Sequence, residues 1–241
     1  MTSKPKLLLI QVRDEDDPMR QHEVDCFARR AGLPDGSVVA FDAVHSSPSI
    51  QELRGYDALL FGGSGEYNVS QQNQPGLPAL FELIQEIATI GHPTFASCYG
   101  FQCMVAALGG EVILDAEASE VGTYRMELTA EGIDDPLLGT LPTVFDAQQG
   151  HKDRALRLPE GFSNLARSEL TPLQAMRVPR QPVWAVQFHP ELDQTANRQR
   201  FEHYLEAYSK YMTADERERA LDRFQPSPEA SDLLRRFVAM L

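Results

Sequence analysis

The chain has 241 residues, with 35 acidic against 22 basic side chains, a net charge of −13 and 42% apolar residues. A field of that sign disfavours nucleic acid and anionic membrane surfaces as partners, and the composition is that of a globular protein. No apolar run approaches the ~20 residues a membrane helix needs. Met1 to Lys6 leads into too short an apolar stretch for a secretory signal, and the three cysteines, at 26, 98 and 103, show no zinc spacing and leave an odd count. A cytoplasmic protein with no metal and no cofactor is expected.

Lys6–Val12 reads as a continuous apolar strand, followed by a helix over Pro18–Ala31 with Val24, Phe27, Ala28 and Ala31 on one face. Ser37–Asp42 and Asp57–Phe61 are the next strands. Leu77–Ile90 is a helix whose Leu77, Leu80, Phe81, Ile84, Ile87 and Ala88 recur at helical spacing, and Pro93–Ala96 is the fourth strand. Strands this apolar, separated by crossover helices, predict an α/β fold: a mostly parallel central sheet with helices on both faces. Val121–Leu128, Thr143–Phe145, Asn164–Arg167 and Leu173–Val178 read as small antiparallel strands flanking it. A helix is expected over Thr195–Tyr208. Beyond it, Thr213-Ala214-Asp215-Glu216 is a capping box and Ser227-Pro228-Glu229 a second helix start. Leu233, Leu234, Phe237, Val238 and Leu241 then form an apolar stripe that must bury, on its own domain as first expectation and on a dimer or partner as the alternative. A core domain over 1–208 and a C-terminal helical extension over 209–241 are expected.

The stretch Phe95-Ala96-Ser97-Cys98-Tyr99-Gly100-Phe101-Gln102 runs a short apolar strand through one thiol into an apolar helix. A turn of that kind at the carboxyl edge of a parallel sheet projects its central residue into the crevice where α/β proteins bind ligands. Unpaired N–H groups at a helix start, together with a nearby imidazolium, favour the thiolate. A free cysteine taken alone is more often a small buried hydrophobe. The companion motif Gln187-Phe188-His189-Pro190-Glu191 changes that balance, because residues two apart in extended chain point to the same side. Glu191 is then placed to fix the His189 tautomer while the other ring nitrogen faces Cys98.

Phe61-Gly62-Gly63-Ser64-Gly65-Glu66 lacks the spacing and lysine of a phosphate loop. Read alone it is a plain turn. Beside a nucleophile, the backbone N–H groups of Gly63 and Tyr99 suit an oxyanion hole, where losing one donor typically costs ~3 kcal/mol.

The elbow with Gln102, the following Ala106-Ala107-Leu108-Gly109-Gly110, the Gly62-Gly63 loop and the Gln187–Glu191 ending resemble the class I, triad-type glutamine amidotransferases over about residues 6–205. The likeness is greatest to the glutaminase domain of GMP synthase and its stand-alone relatives. It implies a flavodoxin-like three-layer sandwich in which Cys98 attacks the glutamine side-chain amide, His189 moves the proton and Glu191 orients His189. It further implies substrate binding by Gln102 and by Gln149, Gly150 and His151, with His151 positioning rather than catalysing. Cys26 and Cys103 are expected in the core. Two positions depart from the family pattern: Ala96 stands where glycine is usual, and Ser64 replaces a proline, which frees a φ angle in the oxyanion loop.

Three readings follow. The first is a stand-alone enzyme hydrolysing glutamine or another γ-glutamyl amide or peptide through a γ-glutamyl thioester. The second is a glutaminase subunit delivering ammonia to a separate synthase, with the tail stripe or a sheet edge as the docking face. The third is a catalytically silent binding or regulatory module, which the intact Cys98, His189 and Glu191 disfavour.

Overall fold

The computed structural model describes residues 4–206 and 212–241. Its first strand, β1 (Leu7–Val12), is buried along its whole length because both faces are covered. Alternate side chains serve different layers: Leu7 and Leu9 join one apolar cluster, Leu8 and Ile10 the other. β2 (Val38–Asp42) and β3 (Ala58–Ser64) flank β1 in parallel, and β4 (Thr94–Ser97) lies parallel to β3. The sheet continues through β11 (Val183–Val186), parallel to β4 with Ala185 opposite Ala96. This register sets the ends of β4 and β11 side by side, and both candidate motifs begin there.

α1 (Met19–Ala31) packs Phe27 and Ala28 on one face of the sheet, while α3 (Leu77–Ile90) and α4 (Tyr99–Ala107) cover the other. Between α1 and α3 lies a single turn, α2 (Ile50–Leu53), closed by a capping box from Ser49 and Glu52. The antiparallel strands expected beside the parallel ones are present and are joined to the sheet's edge. β10 (Ala175–Arg177), β9 (Ala166–Arg167), β6 (Glu120–Leu128) and β7 (Val144–His151) add to β11 in antiparallel order, giving nine strands.

β7 runs six residues beyond the expected Phe145 end. Its polar continuation is bonded to side chains: Gln148 donates to Thr123 and Ser227 and accepts from Asn197, and Gln149 donates to Gln174, although Gln149 Oε1 is buried without a partner among the described residues. A separate ribbon of β5 (Glu111–Leu114) and β8 (Asp153–Arg157) has no counterpart in the sequence reading, since its strands lie half in solvent and show little apolar alternation. Another single turn, α5 (Ala130–Ile133), follows β6.

After β11 comes α6 (Gln194–His203), capped by Asp193; the end of the helix expected to Tyr208, and the expected boundary between 208 and 209, lie outside the described residues. The tail holds α7 (Ala214–Asp222), with the capping box of Thr213 and Glu216, then α8 (Pro228–Ser231) and α9 (Leu233–Val238). Ser227 makes no side-chain cap for α8. The stripe on α9 is used internally: Leu233, Leu234 and Phe237 are buried, and the Phe237 ring lies 5.7 Å from Phe95 and 6.1 Å from Trp184. Those three residues are therefore not open to a synthase or a second copy, whereas Leu241 at the end of the stripe is exposed. No described helix is long and apolar enough to cross a membrane.

Candidate active site

Cys98 lies between β4 and α4 with φ 51° and ψ −104°, a backbone state that L-residues rarely adopt and that costs ~1–3 kcal/mol. Two hydrogen bonds hold it there: its N–H donates to the Val186 carbonyl at 2.9 Å, and its carbonyl accepts the Gln102 N–H at 3.0 Å. Gly100 makes the turn sterically feasible, because a Cβ at that position would stand 2.5 Å from Phe61 Cβ. The same Cβ would lie 3.1 Å from the methyl of Ala96, so the departure at Ala96 is accommodated by a glycine opposite it. Cys98 is 8% exposed and lines a cavity shared with His189.

His189 follows β11 and its N–H donates to the Gln148 carbonyl at 2.9 Å, which ties the loop after β11 to β7. Its Nδ1 meets Glu191 Oε1 at 2.7 Å, and both side chains are buried. Burial alone would push the imidazole toward its neutral form. The charges and hydrogen bonds of Glu191 and Cys98 outweigh it and raise the His189 pKa. Glu191 moves the other way: burial opposes its charge, while His189 and then Arg200 hold it below the ordinary carboxylate range. Arg200 Nη1 lies 3.2 Å from Glu191 Oε1.

Gly63, Tyr99, Gln102, Gly150 and His151 line the same cavity. Gln102, however, spends its amide group internally, donating to the Asp153 carbonyl at 2.9 Å and to Gln187 at 3.2 Å. Gln149 is fully buried and turned to Gln174, so its side chain lies away from the cavity. His151 is held from two sides, by the Asp153 carbonyl at Nδ1 and by Glu120 at Nε2, each at 3.0 Å. Tyr99 points its ring into the apolar layer, where its hydroxyl donates to Gln74 at 2.6 Å. Ser64, where the family pattern has proline, donates its hydroxyl to the Tyr67 carbonyl at 2.7 Å. Cys26 and Cys103 are free and buried, as expected.

Arg13, Glu23, Arg200 and Tyr204 belong to the surroundings of the site without being expected there from the sequence. Arg13, Arg200 and Tyr204 line the cavity; Glu23 lies behind it, accepting from Arg13 and from the Gly63 N–H at 3.2 Å. A signal for Glu23 existed: it occupies a core position of α1, spaced with Met19 and Phe27, where a carboxylate is costly unless partnered. Arg13 directly follows β1, at the strand end where the crevice opens.

A family model, Glutamine amidotransferase class-I, matches residues 36–205. A glutamine-hydrolyzing GMP synthase subunit of Sulfurisphaera tokodaii is 30% identical over 181 residues, 74% of this chain and 92% of that one. The glutamine-hydrolyzing GMP synthase of Thermosipho melanesiensis is 33% identical over 138 residues, 57% of this chain. Only 25% of that relative is covered, so the chain spans about a quarter of its length. A solved glutamine amidotransferase from Thermotoga maritima shares the fold, with a TM-score of 0.71 at 21% identity over 98% of this chain and 97% of that one.

Proposed function

This chain belongs to the class I glutamine amidotransferase family, and from that premise we propose that it cleaves the side-chain amide of glutamine, or of a related γ-glutamyl amide or peptide, with Cys98, His189 and Glu191. The observation that carries the reading is the strained Cys98 elbow opening into the cavity of a buried His189–Glu191 pair. Glu191 occupies Nδ1 of the imidazole, which directs Nε2 to the thiol.

In this reading the thiol proton passes to His189, and the thiolate adds to the amide carbon. The imidazolium then protonates the departing nitrogen, and ammonia or an amine leaves behind a γ-glutamyl thioester. Neutral His189 next takes a proton from water, whose oxygen attacks the thioester, and the thiol is regenerated with glutamate released. The α4 start directs the Tyr99 N–H toward the developing oxyanion, with Gly63 as the second donor. Gly150, His151 and the backbone around Gln102 form the wall against which the substrate's amino-acid end lies. Residues 1–208 form the catalytic unit, and 209–241 act as an extension bound to it.

The test is ammonia release from a panel of γ-glutamyl amides and peptides, with the thioester trapped on Cys98 and detected by mass spectrometry. Label on any other residue, or release that survives Cys98→Ala, would remove the mechanism. The likeness to a glutamine-hydrolyzing GMP synthase subunit, over nearly all of that protein, supports a second reading, ammonia delivery to a separate synthase. Turnover by the chain alone favours independent hydrolysis, whereas silence relieved by an added synthase favours delivery.

A further inference from the structure

Glu23 is fully buried, and its carboxylate receives four donors. Oε2 accepts from Gln11 Nε2 and Arg13 Nε, and Oε1 from Arg13 Nη2, each at 3.1 Å; the Gly63 N–H reaches Oε1 at 3.2 Å. The contact is close: a Cβ on Gly62 would stand 2.5 Å from Oε1. Gly63 also borders the imidazole: a Cβ there would lie 3.4 Å from His189 Cε1, with Arg13 Nη2 at 3.6 Å and Glu23 Oε1 at 4.0 Å. Gly63 and His189 line the cavity, but Glu23 does not. The Gly63 N–H therefore points at a buried negative charge behind the cavity wall.

An oxyanion and a carboxylate compete for one donor, and a fixed negative charge next to a developing one raises the barrier it is meant to lower. We propose that Glu23 is a positioning residue of this site, holding the Gly63 amide out of the cavity so that the second oxyanion contact is withheld until the Glu23–Gly63 bond opens. The inference rests on the glutaminase reading and adds to it a resting state that must be unlatched. Opening is local. Glu23 keeps Gln11 and both Arg13 contacts when Gly63 leaves, so the ion pair stays intact. The peptide between Gly62 and Gly63 carries no side chain on either side to oppose its rotation. Beyond the loop, Arg200 spans from Glu191 at 3.2 Å to Glu23 at 3.8 Å, so the latch and the triad carboxylate share one cation.

Glu23→Asp tests this, because it keeps the charge opposite Arg13 but shortens the side chain by one C–C bond, ~1.5 Å. It cannot then hold Arg13 and Gly63 together. Three quantities are measured beside wild type: ammonia release from glutamine, alkylation of Cys98 by iodoacetamide, and hydrogen exchange of the Gly63 amide in glycine-labelled protein. Alkylation is displacement at a saturated carbon and forms no oxyanion. The expected result is a rise in kcat of about tenfold, with alkylation within about twofold of wild type and loss of Gly63 exchange protection. Unchanged or lower kcat with the amide released overturns the proposal, as does equal Gly63 exchange in the two proteins. If Glu23→Asp does not fold, Arg13→Met/Glu23→Leu replaces the buried ion pair by apolar groups of similar size and is judged by the same outcomes. If wild type and variants all fail to release ammonia, both alone and with an added synthase, the glutaminase reading falls instead, and exchange at Gly63 alone decides whether Glu23 holds that amide.

Discussion

His189 takes its carboxylate from two residues further along its own loop, whereas His151 takes its from Glu120, its register partner on the neighbouring strand. Both rings line one cavity, and both acids are buried. The loop pair uses only Nδ1, leaving the other nitrogen of His189 toward Cys98. The sheet pair uses Nε2, and the Asp153 carbonyl takes Nδ1 as well. A ring with acceptors at both nitrogens has no site left for a moving proton. In the proposed mechanism the two dyads differ in role because one keeps a ring nitrogen turned to Cys98 and the other has both nitrogens engaged by the fold.

The widest gap between them should appear in Cys98→Ala and His189→Ala. The first removes the attacking sulfur and brings ammonia release to background while circular dichroism and thermal melting stay near wild type. The second, by analogy with other nucleophile–base pairs, lowers kcat by about 10⁴–10⁶-fold. A loss of less than about tenfold in His189→Ala would place the proton shuttle elsewhere, with His151 the first alternative.

How much of this was visible beforehand depended on the distance along the chain. The dyad of His189 and Glu191, the thiol elbow and the parallel strands are all local patterns, and each appears in the structure near its expected position. The dyad of His151 and Glu120 depends on the register of β6 and β7, which polar residues such as Gln148 and Gln149 conceal because they are buried for their hydrogen bonds rather than for apolar area. Gln149 illustrates the cost, since a one-residue shift along a strand reverses its face. It was expected at the substrate and instead bonds to Gln174 inside. Glu23 and Arg200 act through contacts between distant elements, and no spacing rule links position 23 to Gly63 or position 200 to Glu191.

Glu191→Gln gives a smaller effect and adds a pH signature. The orienting bond survives in part, so the loss in kcat should be about 10–100 times milder than in His189→Ala. The pKa of His189 is raised, so its contribution to stability is whole below the ordinary value of ~6.5 and fades as pH rises through the folded value. That of Glu191 is lowered, so its contribution is whole above ~4.3 and fades as pH falls through the folded value. The melting-temperature difference between wild type and Glu191→Gln should therefore be widest between about pH 4.5 and 6.5 and narrow on both sides. A difference that stays flat from acid to alkali would mean the two groups are not coupled as a charged pair.

The smallest change in turnover is expected at the second dyad. His151→Gln alone leaves Glu120 with Gln174 as its remaining donor and should destabilise the fold by about 3 kcal/mol, as breaking one side of a buried pair does. Pairing it with Glu120→Gln replaces acid and imidazole by two neutral amides across the same register and should recover most of that loss. Because His151 moves no proton in this scheme, kcat of the double variant should stay within about tenfold of wild type, with the change falling mainly on KM for glutamine. Steady-state kinetics and urea unfolding on the single and double variants separate the two effects. A restored fold with kcat reduced as far as in His189→Ala would make the sheet dyad catalytic and abolish the distinction between the two pairs.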